Sequence, residues 1–343
     1  MKYSKLSDYD YYLPSGLIAQ EPLKKRDSSR MMVLDRANDS IENSSFDQLP
    51  SYLRSGDILV LNNTKVIPAR LIGKIDGREI SAELLLLRKQ DNSFWVAMVK
   101  PGRKLKPGTR IDLGLGVEAL IEDYAEEGLR VVSFKSEAPF EEMLPKLGKV
   151  PLPPYINKEV DDPELYQTIY AREEGSAAAP TAGFHFTGDT FNNLTDIGVE
   201  TAYITLHIGP GTFQPVKAED IRDHVMHKEY FRIDQETANR LNQARSRGGR
   251  IIAVGTTACR VLETVVDNSG VIHPADSSTG LYIYPGFKFN AVDAMLTNFH
   301  LPRSSLLMLV SALASHGLIM SAYEKAVSEQ YRFFSFGDCM LIL

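Results

Sequence analysis

Along the first sixty residues the apolar and polar positions change rhythm repeatedly. They predict a short helix near Leu17, a strand over 30–34, a helix around 46–53 and a strand over 57–61. Such alternation opens an α/β layer. After the loop 62–70, NNTKVIPAR, the texture changes to short β-runs at 70–74, 80–88, 94–99, 109–113, 117–123 and 129–134. Gly77, Asp91, Asn92, Pro101, Gly102, Pro107, Gly108 and Gly128 punctuate these runs as turns, a spacing that fits a small antiparallel barrel. From 151–155, PLPPY, helix and strand patterns alternate again. The expected fold class is therefore α/β: a discontinuous layered domain, residues 1–65 and 151–343, with a six-stranded antiparallel β-barrel inserted over residues 66–150.

The most informative stretch is 177–216, where two loops flank a helix and a strand. The first loop, 179–187, sets His185 between Phe184 and Phe186 and leads into a helix that Thr187 is placed to cap and Gly198 to stop. The second follows the strand 199–205 and runs from His207 through Gly209, Gly211, Thr212 and Phe213. Small residues that admit a close ligand, aromatics and an imidazole occur together in both, which predicts two walls of one pocket. Two further strand-to-helix corners have a similar design. The strand 250–254 breaks into Gly255, Thr256 and Thr257 ahead of a helix carrying Arg260, and the strand 295–299 runs through His300 and Arg303 to Ser304 and an apolar helix. Ligands of α/β sheets sit at the carboxyl ends of strands, where helix N-termini offer unpaired N–H groups to anions.

Composition narrows the class. The apolar run 306–313 is far short of the roughly 20 residues a membrane span needs, and the first residues lack an apolar signal core. A cytoplasmic protein without membrane attachment is expected. Two cysteines, Cys259 and Cys339, do not make a disulfide framework. The net charge of −6 argues against a surface coated in nucleic acid, yet basic clusters at 24–30, 100–110 and 245–250 leave room for a local phosphate footprint.

His224, His227 and Glu229 invite a metal reading, but no Cys pair and no His-Glu-x-x-His accompanies them. A dinucleotide fingerprint, a phosphate-loop lysine and a Gly-x-Ser-x-Gly elbow are all missing. Each candidate also has a plain structural reading. His185 and His207 can be satisfied by backbone, Phe184, Phe186, Phe213 and Phe299 can be core, and Arg260 and Arg303 can form ion pairs. Thr256, Thr257 and Ser304 can cap helices, and Asp338 is either a turn residue or a catalytic one.

Taken in order, the motifs 62–70, 150–155 (VPLPPY), 166–168 (YQT), 178–183 (AAPTAG), 207–216, 224–229, 254–257 (VGTT), 297–302 (TNFHLP) and 331–334 (YRFF) span nearly the whole chain. The series closely resembles the S-adenosylmethionine:tRNA ribosyltransferase-isomerase family of the queuosine pathway. The resemblance implies an α/β domain with an inserted barrel and a transferase that uses no metal or redox cofactor, S-adenosylmethionine being its co-substrate. It implies transfer of the ribosyl part to the 7-aminomethyl group of a 7-deazaguanine at the tRNA wobble position, with loss of adenine and methionine. On residue type and place in the motifs, the proton-accepting base is expected to be His185 or His207, with Asp338 a further catalytic candidate. Phe184, Phe213 and Phe299 are the expected flat partners for adenine and the deazaguanine. Thr256, Thr257, Ser304, Arg260 and Arg303 are expected at the methionine carboxylate, with Thr181, Gly183, Gly209, Gly211, Thr212, Asn298 and His300 completing the substrate site. Lys100, Arg103, Lys104 and Lys106 are expected on the tRNA backbone. Two rival classes are a metal-dependent hydrolase and a noncatalytic RNA-binding module. A monomer with no obligate protein partner is expected.

Overall fold

A computed structural model describes residues 2–90, 94–158, 162–209 and 216–343. The expected contacts of Gly211, Thr212 and Phe213 lie outside the described residues.

The chain divides into two compact units, Met1–Thr64 with Pro154–Glu173 and Pro180–Leu343, and Lys65–Pro153 with Glu174–Ala179. The strands of the first part of the chain are β1 (Arg30–Asp35), β2 (Ser40–Ser45), β3 (Ile58–Asn62) and β4 (Thr64–Val66), with the single-turn helix α1 (Leu49–Tyr52) before β3. The predicted helix near Leu17 is a single 3-10 turn, Ser15–Leu17.

Six strands follow: β5 (Arg70–Ile75), β6 (Ser81–Lys89), β7 (Phe94–Lys100), β8 (Arg110–Gly114), β9 (Val117–Tyr124) and β10 (Arg130–Lys135). They close antiparallel in the order β10-β7-β6-β5-β8-β9, the barrel that the sequence predicts. Alternation of buried and exposed residues, clearest along β8, points Ile111 and Leu113 inward to meet Leu71, Leu84, Ala119 and Val132. Gly73 has no room for a side chain, since a Cβ there would lie 2.4 Å from the Asp112 carbonyl oxygen on the neighbouring strand. Helix α2 (Phe140–Leu147) adds Phe140 and Leu144 to the same core.

The remaining elements are β11 (Glu173–Ser176), α3 (Gly188–Asp196), β12 (Glu200–Leu206), β13 (Glu229–Ile233), α4 (Gln235–Ser246), β14 (Ile251–Val254), α5 (Gly255–Val265), β15 (Ala275–Thr279), β16 (Ala294–Asn298), α6 (Ser305–Ala314), α7 (His316–Ser328) and β17 (Cys339–Ile342). Strand β11 pairs with β4, and nine others form one sheet in the order β15-β13-β12-β3-β14-β16-β17-β1-β2. Its centre, β12-β3-β14-β16, is parallel throughout. Strands β3, β14 and β16 are buried along their whole length and largely apolar because both faces are covered, whereas β12 starts on the exposed Glu200. Met31, Val33, Leu59, Leu61, Ile252 and Val254 meet Phe46, Phe186 and Leu194 on one side, and the alternate residues Met32, Ile58, Val60 and Ala253 are buried as well.

Parallel register brings the carboxyl ends of the four central strands, Leu206, Asn62, Val254 and Asn298, to one edge of the sheet. Strand β17 runs opposite to β16 and pairs Cys339 with Asn298, so the amino ends of β17 and β1 lie at that edge too. Among the described residues no single helix is long and apolar enough to cross a membrane.

Candidate active site

The edge is built by sharp local turns. Gly255 opens α5 with φ +85°, a left-handed conformation that Gly adopts without the cost of a Cβ, so the chain turns from strand to helix within one residue. A Cβ at Gly255 would lie 3.5 Å from that of Ala182, which places α5's first turn against the 3-10 helix Thr181–His185. Gly183 in that helix lies so close to its neighbours that a Cβ would fall 2.0 Å from the Tyr170 hydroxyl. The sequence reading of α3 holds: Thr187 caps it by accepting from the Thr190 N–H at 3.2 Å, and Gly198 follows its end with φ +76°.

Asn62 joins three of the elements. Its Oδ1 accepts from the N–H groups of Leu206 (3.0 Å) and Thr64 (3.2 Å), while Nδ2 donates to the Leu206 carbonyl (3.0 Å) and reaches Thr257 Oγ1 at 3.3 Å. A buried amide that fulfils four hydrogen bonds fixes β3, β12 and α5 relative to one another. Thr256 and Thr257 sit buried in the first turn of α5, which has no side-chain cap.

His185 is buried with both ring nitrogens engaged, Nδ1 2.7 Å from Ser29 Oγ and Nε2 3.2 Å from Asn298 Oδ1. Because the Asn298 amide donates through Nδ2 to the Phe334 carbonyl at 2.8 Å, its oxygen is the atom that faces the ring. Nε2 therefore carries the proton, and Nδ1 accepts from Ser29. Burial pushes the His185 pKa down to about 4, the Asn298 bond opposes this, and Arg332 and Arg26 lower it further. His185, one of the two residues expected as the base, is thus neutral and enclosed.

His207 is in a different state. It is half-buried, its Nδ1 lies 2.7 Å from Thr64 Oγ1, and its ring stacks on Tyr230 at 5.4 Å. Burial lowers its pKa and the Glu173 carboxylate raises it. Among the described residues its Nε2 has no hydrogen-bond partner. Gly209, two residues on, donates its N–H to Glu229 Oε1 at 2.9 Å.

Several sequence candidates have other occupations. Phe299 is 0% exposed and packs among Tyr323, Tyr331 and Phe333, so it is core and no stacking platform. Phe184 is likewise interior, between Tyr166 and Phe336, with the Arg26 guanidinium 5.6 Å from its ring. His300 is buried, and its ring nitrogens lie near Thr297 Oγ1 (3.1 Å) and the Tyr323 hydroxyl (3.2 Å); burial drives its pKa down to about 3.

Asp338 ties the start of β1 to the last turn by accepting from the N–H groups of Arg30 (2.9 Å) and Arg332 (2.8 Å). Burial raises its pKa against the pull of those two bonds. Its carboxylate thus has the structural occupation of its two readings. Arg260 pairs with Glu229 in the interior and also donates to the Leu281 carbonyl at 3.0 Å, so its charge is already neutralised within the fold. Arg303 pairs with Asp10 at the surface, and Ser304 caps α6 by accepting from Leu307 N–H at 3.2 Å. Thr181 stays half-exposed at the head of its 3-10 helix.

Glu229 is committed to Arg260, and among the described residues no three His, Cys, Asp or Glu side chains gather in a metal-ligating group. His224 packs edge-on against Tyr282 at 5.1 Å. Sequence reasoning gave no role to Ser29, Asn62 or Thr64. The last two stand in the motif 62–70, whereas nothing around Ser29 in the sequence marks it.

In the barrel unit, Lys100, Arg103, Lys104 and Lys106 are exposed on and after the end of β7 and form no ion pair among the described residues.

The chain matches the family described as queuosine biosynthesis protein over residues 6–342. It is 53% identical to the S-adenosylmethionine:tRNA ribosyltransferase-isomerase of Symbiobacterium thermophilum, over 99% of this chain and 100% of that one. It is 52% identical to the protein of the same name from Acetivibrio thermocellus, over 98% and 99% of the two chains. Among solved structures, the S-adenosylmethionine tRNA ribosyltransferase of Thermotoga maritima is similar with a TM-score of 0.56 and 38% identity, covering 98% of this chain and 100% of that one. A match of this extent shows that the chain belongs to the queuosine biosynthesis protein family.

Proposed function

We propose that this protein transfers the ribosyl part of S-adenosylmethionine to the 7-aminomethyl group of a 7-deazaguanine at the wobble position of tRNA, isomerising it to an epoxycyclopentanediol and releasing adenine and methionine. The names and full-length identity of its relatives support this reading. S-adenosylmethionine is a co-substrate, and the chemistry draws on no metal or redox cofactor. The protein works in the cytoplasm as a monomer, without an obligate protein partner.

The observation that carries the site is His207 at the carboxyl edge of the parallel strands, held through Nδ1 by Thr64, with no hydrogen-bond partner for Nε2 among the described residues. The carbon beside a sulfonium is acidified by the adjacent positive charge, and a neutral imidazole is the side chain suited to take its proton near pH 7. His207 is the base in this reading. His185, fixed and neutral, supports the same edge as a positioning residue. The first turn of α5 at Thr256 and Thr257 faces the methionine carboxylate with its N–H groups. The basic segment Lys100, Arg103, Lys104 and Lys106 holds tRNA phosphates.

The test is to incubate the protein with S-adenosylmethionine and tRNA bearing the aminomethyl base, in the presence of chelator. Adenine release matched by modified tRNA supports the function. No adenine release, with tRNA bound, leaves an RNA-binding protein and overturns it.

A further inference from the structure

The barrel presents a hollow of about 660 Å³ lined by Gly102, Arg103, Lys106, Tyr124 and Arg130. The hollow is open to solvent, and every side chain on its wall is either cationic or aromatic. Residues 100–111 contain five cations and no acid, in a chain whose net charge is −6. Arg110 pairs with Glu118, whereas among the described residues Arg103 and Lys106, beside the hollow, form no ion pair.

The wall is preorganised. Arg130 is buried and spends its guanidinium on four carbonyls, those of Leu105 (2.8 Å), Gly102 (2.8 Å), Gly128 (2.6 Å) and Leu129 (3.0 Å). It thereby staples the β7–β8 connection to the turn before β10. Leu105 is sunk in the barrel core, and Lys106 N–H is held by Thr109 Oγ1 at 3.2 Å. Cations carried on a loop pinned in this way lose little freedom when they meet a phosphate.

Tyr124 lies over the Arg130 guanidinium, 4.5 Å from ring centroid to the guanidinium carbon, and is 55% exposed. One face of the ring is backed by a buried cation, and just over half of the residue is exposed to solvent. Asp123, its neighbour, turns its carboxylate back to the Tyr124 N–H at 2.7 Å. An exposed aromatic ring beside free cations is the arrangement that binds unpaired nucleotides, the base by stacking and the phosphate by charge.

We propose that this hollow seats one unpaired nucleotide of the tRNA, distinct from the base being modified, with its base on the outer face of Tyr124 and its phosphate between Arg103 and Lys106. The inference rests on the tRNA reading above and specifies how the barrel takes part in it.

The experiment measures binding of a fluorescent single-stranded ribo-oligonucleotide of about eight uridines and of an RNA duplex of the same length. Expected is tighter binding of the single strand, a loss of about tenfold for Tyr124→Leu, and a change within about twofold for Tyr124→Phe, which keeps the ring. Arg103→Ala with Lys106→Ala, both at exposed positions, should lower the slope of log affinity against log salt by about 0.7 for one phosphate. Wild-type affinity in Tyr124→Leu with an unchanged melting temperature, or an equal loss in Leu and Phe variants, overturns the seat. Adenine release in the same preparations separates the two readings. Normal release with no effect of Tyr124→Leu on binding rejects the seat alone, whereas a wild-type protein that neither binds tRNA nor releases adenine rejects both.

Discussion

The side-chain amide of Asn298 dictates which nitrogen of His185 carries the proton. Its Nδ2 is tied to the Phe334 carbonyl, so Oδ1 faces Nε2 and the ring's lone pair is left toward Ser29. Asn298→Asp puts a carboxylate against the same N–H and should raise the His185 pKa from about 4 by roughly 1–3 units. An NMR titration of the ring protons reads this directly. An unchanged pKa would mean that Nε2 does not face the residue 298 side chain.

Both buried histidines make stability depend on pH. Their folded pKa values, about 4 for His185 and about 3 for His300, lie below the unfolded value of 6.5. Between the two limits the unfolded chain binds a proton that the native state does not. Stability is therefore complete above about pH 6.5 and falls as the pH drops toward 4, by about 1.4 kcal/mol per unit for each histidine. Urea unfolding from pH 7 to 4.5 should show the decline, and His300→Gln should remove about half of the histidine contribution to its slope. Parallel curves for variant and wild type would contradict the assignment.

The Arg260–Glu229 pair is interior, and removal of one partner strands the other charge. Arg260→Ala should cost about 3–5 kcal/mol in denaturant unfolding, and Arg260→Met with Glu229→Gln should recover part of it. A stable Arg260→Ala protein that has lost only affinity for S-adenosylmethionine would return Arg260 to the carboxylate-binding role expected from its motif.

The contrast between Arg260 and the barrel shows what the residue pattern carries. The barrel was legible because alternation and turn residues are local signals, repeated six times, as β8 displays in its buried and exposed positions. The corners at Thr187 and Gly255 were legible for the same reason, since capping and positive φ depend on one or two residues. Strand β2, SIENSS, is a polar edge strand that owes its form to pairing with β1 and has no apolar rhythm of its own. The partners of the two histidines are equally silent, for Ser29 lies 156 residues from His185 and Thr64 lies 143 from His207. An aromatic identity alone does not separate platform from core, which is why Phe299 was expected at a ligand and is found in an interior cluster.

Salt dependence probes the basic segment as a whole. Lys104→Gln with Lys106→Gln should flatten the slope of log tRNA affinity against log salt by roughly 0.7–0.9 for each phosphate that loses its cation. A filter-binding series across salt concentrations checks it, and an unchanged slope excludes these lysines from the RNA contact.

The Thr64 hydroxyl holds His207 Nδ1, so Thr64→Val should lower turnover by roughly tenfold or more with little change in tRNA binding. The most direct measurement is single-turnover adenine release by His207→Ala at saturating S-adenosylmethionine and tRNA, beside equilibrium binding of both. The expected result is a rate lower by about 10²–10⁴ with both substrates still bound. Release at the wild-type rate would remove His207 as the base and contradict the account.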